Sequence, residues 1–177
     1  MARERTALVL GATGGIGGEV ARRLRSRGWT VRALHRDARR VAEGNRDPHG
    51  LTWVQGDAMR PAEVVAAARD AGLIVHAVNP PGYRNWGGLV LPMLDGTIAA
   101  ARASGARILL PGTVYNFGPD AFPAPTEDSP QNPPTRKGAI RAEMERRLRA
   151  AAADGLRTLV VRAGDFFGPR AGNSWFS

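Results

Sequence analysis

The 177-residue chain contains no cysteine, which excludes both a disulfide framework and a thiolate metal site. Its three histidines, His35, His49 and His76, lie far apart in sequence and give no support to a metal cluster. Tyrosine is scarce, with Tyr83 and Tyr115 the only two, and lysine occurs once, at Lys137. Arginine supplies the rest of the positive charge behind a net +9. These arginines are spread along the chain and not interleaved with aromatics. The charge therefore reads as a solvated surface and not as a specific nucleic-acid face, with a few arginines able to serve a phosphate-bearing ligand. Long apolar runs are missing too. The run in "MARERTALVLGATGG" is broken at once by glycines and is too short for a secretory or membrane-spanning segment. The expectation is a cytoplasmic protein with no membrane partner, of a length that fits one domain with a sizeable core.

What is present is a strict alternation. "TALVLG", "TVRALHR", "LTWVQGD", "LIVHAV", "RILLPG" and "RTLVVRAG" are short apolar runs that read as six strands. Between them, "GGEVARRLRSRG" carries Val20 and Leu24 at helical spacing and ends at Gly28. "PAEVVAAARDAG" opens on a first-turn proline and ends at Gly72. Further helices are predicted over about 90–104 and 136–153, the last with Ile140, Met144 and Leu148 on one face. "NPPGYRNWGG" and the proline-rich "NFGPDAFPAPTEDSPQNPPT" read as loops, and loops of such length usually wall a site. Strands separated by helices imply right-handed crossovers, hence a doubly wound parallel α/β sheet with helices on both faces.

The first strand–helix junction is the most informative stretch. Gly11, Gly14 and Gly17 form G-x-x-G-x-x-G there. Gly11 permits a sharp turn, Gly14 lets backbone approach a diphosphate, and Gly17 lets the helix pack on the strand. The helix N-terminus then offers unpaired N–H groups to phosphate. A tight structural turn is the alternative, but the strand, helix and crossover context match what the motif requires. At the end of the second strand, His35 and Arg36 stand where a carboxylate would hold the ribose 2′-hydroxyl of NAD. Arg36 suits a 2′-phosphate, which makes NADP the expected cofactor. NAD stays open, because Asp37 follows directly and Arg36 can instead point to solvent.

With "GATGGIG", "VRALHRD", Gly56–Asp57, "TVYNFGP" and "VVRAGDFFGPR" in this order, the chain resembles the extended short-chain dehydrogenase/reductase superfamily. Within it, the closer likeness is to the NAD-dependent epimerase/dehydratase family of nucleotide-sugar enzymes, which have a Rossmann fold. The resemblance implies that Gly11, Thr13, Gly14, Gly15, Ile16 and Gly17 cradle the diphosphate and that Arg36 sits by the adenosine ribose. It further implies that Asp57 and Ala58 meet the adenine, while Ala77, Val78 and Asn79 line the nicotinamide ribose. For Asp57, an N-cap of the helix near Pro61 is the competing role.

The family's catalytic set is not carried over. Its serine or threonine falls on Pro111, with Thr113 a displaced hydroxyl two residues later. Its Tyr-x-x-x-Lys falls on Lys137 and Arg141, aligned through Gly138. The family's tyrosine exchanges a proton with substrate while its lysine lowers that tyrosine's pKa from about 10. Arg141 can supply charge and hold the nicotinamide ribose, but it is no proton donor near neutrality. Lys137 serves as acid or base only if desolvation or Arg141 lowers its pKa; otherwise it caps or solvates its helix. Tyr83 and Tyr115 both lie in loops at the carboxyl ends of strands, where the ligand crevice is. Tyr115 is the better candidate, having Thr113 and Asn116 beside it, and an aromatic plug under the loop is its alternative.

The expected organisation is a cofactor-binding domain over residues 1–165, with 166–177 the start of a truncated substrate-binding region. Trp175 and Phe176 near the end look like residues meant to be covered. Either the chain is a fragment, which is the expectation, or it exposes an apolar patch that invites association, for instance as a homodimer. The leading reading is an NADP-dependent oxidoreductase or isomerase for a small carbonyl or hydroxyl compound, a nucleotide sugar among the candidates, with a remodelled catalytic set. A dinucleotide-binding sensor without turnover is the second, and nucleic-acid binding, resting on charge alone, the weakest.

Overall fold

The computed structural model describes residues 5–44, 50–80 and 85–164. Six strands form one sheet: β1 (Thr6–Leu10), β2 (Thr30–His35), β3 (Thr52–Gln55), β4 (Leu73–His76), β5 (Arg107–Gly112) and β6 (Thr158–Arg162). Every neighbouring pair is parallel, in the order β3-β2-β1-β4-β5-β6. The chain winds outward from β1 through β2 and β3, then returns to the other side of β1 with β4. The switch point between β1 and β4 leaves a crevice beyond their carboxyl ends. The doubly wound parallel sheet read from the sequence is therefore the fold.

Five helices among the described residues cover the sheet: α1 (Gly15–Ser26), α2 (Ala38–Gly44), α3 (Pro61–Ala67), α4 (Trp86–Ser104) and α5 (Arg136–Ala153). Alternation along the strands sorts side chains between two layers. Leu8, Leu10, Ile74, Ile108 and Leu110 face one layer, where Val64 of α3, Leu94 of α4, and Met144 and Leu148 of α5 meet them. Ala7, Val9, Val31, Ala33, Leu73 and Val75 face the other, covered by Ala21, Val20 and Leu24 of α1. Because β1 is buried on both faces, it reads as a continuous apolar run. At the far edge, β6 exposes Leu159 and Val161, each more than half accessible.

The expected helix over about 90–104 begins earlier, at Trp86. Burial of the Trp86 ring carries the helix back through Gly87 and Gly88 and puts Pro92 in its interior. Helix α2 was not anticipated. Only Ala38 of its seven residues is buried, so it has no apolar period to read. Asp37 starts it, its carboxylate accepting from the Arg40 N–H (3.3 Å) and pairing with the Arg40 guanidinium (2.9 Å). Helix α3 ends at Ala67, before Gly72, and Asp70 takes the left-handed conformation (φ 60°) in the turn that follows. The proline-rich stretch is irregular, as expected, apart from one 3-10 turn at Pro119–Ala121. Tyr83, His49, Trp175, Phe176 and all of 166–177 lie outside the described residues. No helix among the described residues is long and apolar enough to cross a membrane, and those residues hold no metal-binding cluster.

Leu148 sits 1% exposed where α5 meets the sheet. Leu148→Ala is expected to destabilise the fold by about 2–5 kcal/mol through lost transfer energy and a residual cavity. A urea denaturation midpoint measures this, with an unchanged slope showing that the fold itself is retained.

Candidate functional site

At the switch point three backbones pass with almost no separation. Gly11 has φ +89°, and a methyl group built there would lie 2.5 Å from the Ala77 carbonyl oxygen and 2.8 Å from the Val78 Cα. A methyl on Gly17 would overlap the Gly11 carbonyl oxygen, far within contact distance. The turn is closed by Gly14 N–H donating to Gly11 O (3.0 Å). Gly14 is the N-cap of α1, so no side chain caps that terminus, and its first turn has no acidic residue. Thr13, Gly14, Gly15 and Ile16 are exposed along the rim. Bare N–H groups at an uncapped helix end, approachable without Cβ atoms, fit a diphosphate.

Arg36 follows β2 directly and is exposed. Gln55 at the end of β3 fixes the backbone beneath it, donating to the Arg36 carbonyl (2.6 Å) and accepting from Ala38 N–H (3.1 Å). The neighbouring cations are committed, Arg39 to Glu43 and Arg40 to Asp37. Asp37 is likewise turned toward α2 and away from a ribose hydroxyl. At the end of β3, the Asp57 carboxylate accepts from Met59 N–H (2.9 Å) while its own N–H donates to Glu63 (2.7 Å). Asp57 thus closes a local turn, and the N-cap of α3 is Arg60. Ala58 is partly exposed beside it.

Beyond β4, Ala77 N–H donates to Leu10 O (3.0 Å), which extends the ladder to the crevice edge. The Asn79 side-chain oxygen accepts from the Trp86 indole N–H (2.6 Å), and the Arg141 guanidinium lies over the same indole, 5.0 Å from its centroid. Beneath them His76 is 2% exposed. The Thr97 hydroxyl donates its one proton to Met93 O (3.1 Å), so at 2.8 Å it accepts from His76 Nδ1–H. That network assigns the tautomer and leaves Nε2 a buried lone pair with no partner among the described residues. Burial, and then the positive charge of Arg141, push the His76 pKa down to about 3.

The remaining candidates gather at the carboxyl end of β5. Pro111 lies within β5, paired with Val161 of β6. The Thr113 hydroxyl donates to Asn116 (3.1 Å). Tyr115 is 50% exposed, so it is not a plug under the loop. Its carbonyl lies so close to Gly138 that no side chain fits there, which seats the first turn of α5 against it. Thr135 caps α5 by accepting from Gly138 N–H (3.0 Å), so the cap is not Lys137, whose side chain is exposed.

The model of the NAD(P)H-binding family matches residues 11–171, most of the chain. The chain belongs to that family. This NAD(P)H-binding domain is 32% identical over 181 residues to the 3-diazoavenalumate denitrifying reductase of a Streptomyces species, covering 93% of the chain and 57% of that protein. It is 26% identical to the uncharacterized protein y4nL of Sinorhizobium fredii, covering 92% and 51%. The domain therefore spans little more than half the length of these relatives. Among solved structures it is similar to the Bordetella bronchiseptica enzyme WbmH in complex with NAD+, with TM-score 0.76, 24% identity, and 94% and 58% of the two chains covered. It is also similar to the Thermotoga maritima UDP-glucose 4-epimerase with UDP-glucose, with TM-score 0.77, 18% identity, and 93% and 57% covered. At these identities the likeness concerns the fold. The resemblance drawn from the glycine motif and the order of the motifs after it is borne out.

The sequence reading did not single out His76, Gln131, Glu145 or Arg162. A lone histidine inside "LIVHAV" was a usable signal for a buried polar contact. Gln131, in a proline-rich loop, gave none. The unfolded chain takes up a proton at His76 near its ordinary value of 6.5, whereas the folded domain does so only near 3. Protons thus favour the unfolded state, and stability falls as pH drops from about 6.5 toward about 3. Thermal melts between about pH 6.5 and about pH 5, above the ordinary carboxylate range, should show this decline in the parent and its loss in His76→Leu.

Proposed function

We propose that this domain binds NADP(H) and belongs to an oxidoreductase or isomerase of the epimerase/dehydratase kind, acting on a small carbonyl or hydroxyl compound. The single observation that carries the reading is the side-chain-free cradle formed by Gly11, Gly14 and Gly17 at the β1–β4 switch point. Gly11, Thr13, Gly14, Gly15, Ile16 and Gly17 hold the diphosphate in this reading. Asp57 and Ala58 border the adenine, and Ala77, Val78 and Asn79 border the nicotinamide ribose. Arg36 takes the 2′-phosphate, supported by the commitment of Asp37 to α2 and by the Gln55 clamp on the Arg36 backbone. Nicotinamide supplies or accepts hydride when bound. Proton transfer falls to Tyr115, which is half exposed and whose main-chain carbonyl seats against the first turn of α5, with Lys137 the other candidate on that turn. Arg141, stacked on Trp86, contributes fixed positive charge. A nucleotide sugar is one substrate of this class, and UDP-glucose is named in the structure of the Thermotoga relative.

A second reading, a dinucleotide-binding regulatory module without turnover, is favoured by one observation. Pro111 and Lys137 stand where the family's hydroxyl and phenol would be, and the Thr113 hydroxyl is donated to Asn116.

NADPH titrations followed by fluorescence test the cofactor assignment. Arg36→Ala should weaken NADPH binding about 10–100-fold, the value of a charge-assisted hydrogen bond, and leave NADH binding unchanged. Equal effects on both cofactors would refute the 2′-phosphate role. Across a panel of carbonyl and sugar substrates, Tyr115→Phe should lower turnover by at least about 100-fold while Lys137→Met retains it. Tight NADPH binding with no turnover in the parent would establish the regulatory reading instead.

A further inference from the structure

Five polar side chains behind Tyr115 close into a ring. The Thr113 hydroxyl donates to Asn116 Oδ1 (3.1 Å), and Asn116 Nδ2 donates to Gln131 Oε1 (3.1 Å). Gln131 Nε2 donates to Glu145 Oε2 (2.7 Å), and Arg162 forks onto both Glu145 oxygens (2.8 Å each). Arg162 also donates to the Thr113 carbonyl (2.6 Å), which returns the ring to its start. Asn116 is fully buried and Glu145 is 5% exposed. The Arg162 guanidinium lies 4.7 Å from the centre of the buried Phe117 ring. The ring joins the end of β5, the proline-rich loop, the middle of α5 and the end of β6, and Tyr115 is held between two of its anchor points.

The direction of each bond is set from the charged end. Arg162 has only donors and an ionised Glu145 only acceptors, so Gln131 must present its NH2 to Glu145 and its oxygen to Asn116. Asn116 must then present NH2 to Gln131 and its oxygen to Thr113. The order propagates to both sides of Tyr115, whose own turn is closed by Phe117 N–H donating to Val114 O (3.2 Å). We propose that this ring is the positioning device for Tyr115. It fixes the main chain on both sides of Tyr115, whose carbonyl seats against Gly138 of α5, and so sets where the phenol is presented; its members act through Tyr115 and not on the substrate. The proposal rests on the reading of Tyr115 as the proton-transfer group.

Glu145→Gln is the decisive variant, being isosteric. Its new NH2 faces either Gln131 Nε2 or an Arg162 N–H, a donor against a donor, so one arm of the ring must open. In a Tyr83→Phe background labelled with fluorotyrosine, fluorine NMR gives a single signal, from Tyr115. Glu145→Gln and Gln131→Leu should each shift or broaden that signal, with NADPH affinity kept within about 3-fold because the cradle is built by β1 and α1. Glu143→Gln, on the same helix but paired with Arg146 and Arg147, should leave the signal in place. Where the parent turns over, both ring variants should lower kcat by about 10–100-fold, with KM for NADPH unchanged. An unmoved Tyr115 signal in a ring variant that still binds NADPH overturns the proposal. If Glu145→Gln fails to fold, Gln131→Leu and Thr113→Val decide it by the same spectrum. Absence of turnover in the parent would sink the proton-transfer reading, and the spectrum would still decide the positioning claim.

Discussion

Where β1 hands over to α1, the chain passes directly against the end of β4, and the contact is backbone against backbone. Ala77 and Val78 approach Gly11 so closely that a methyl group has no space, and Gly17 meets the Gly11 carbonyl in the same way. This close passage brings α1 down onto the sheet with its amino end open at the crevice. It also fixes β4 beside β1, which creates the switch point itself. A single side chain in that crossing would separate the strand, the helix and the neighbouring strand together. The cradle and the topology therefore share one steric condition.

The two ends of the crevice are built from different materials. The glycine end is backbone and an uncapped helix terminus, so its geometry follows from the fold. The β5 end is built from side chains: Thr113, Asn116, Gln131, Glu145 and Arg162 bind loop, helix and edge strand through oriented hydrogen bonds. Between the ends stands a short stack in which Asn79 accepts from Trp86 and Arg141 covers the indole, above a buried neutral His76. An arrangement of this kind lets the side chains at the β5 end change while the glycine turn stays as it is.

Much of this was legible in the residues. The apolar runs of β1 and β4 showed burial on both faces, and Ile140, Met144 and Leu148 showed the inward stripe of α5. Less legible were elements whose formation depends on a distant contact. Helix α2 has no apolar period and is held by its Asp37 cap and by Gln55 on another strand. Helix α4 extends back to Trp86 because that ring is buried, against the preference of Gly87 and Gly88. The N-cap alternative for Asp57 gives way in the structure to a turn onto Met59, because Arg60 is the N-cap of α3.

The sequence by itself determined the sheet, its winding and the glycine turn between β1 and α1, because period-two burial and the need for missing Cβ atoms are local signals carried by residue type. Tertiary structure alone decided which polar side chains meet beside Tyr115 and that His76 Nε2 has no partner among the described residues. Apart from Thr113 and Asn116, the linked groups of the ring lie 14 to 49 residues apart in the chain, and no spacing encodes such an encounter.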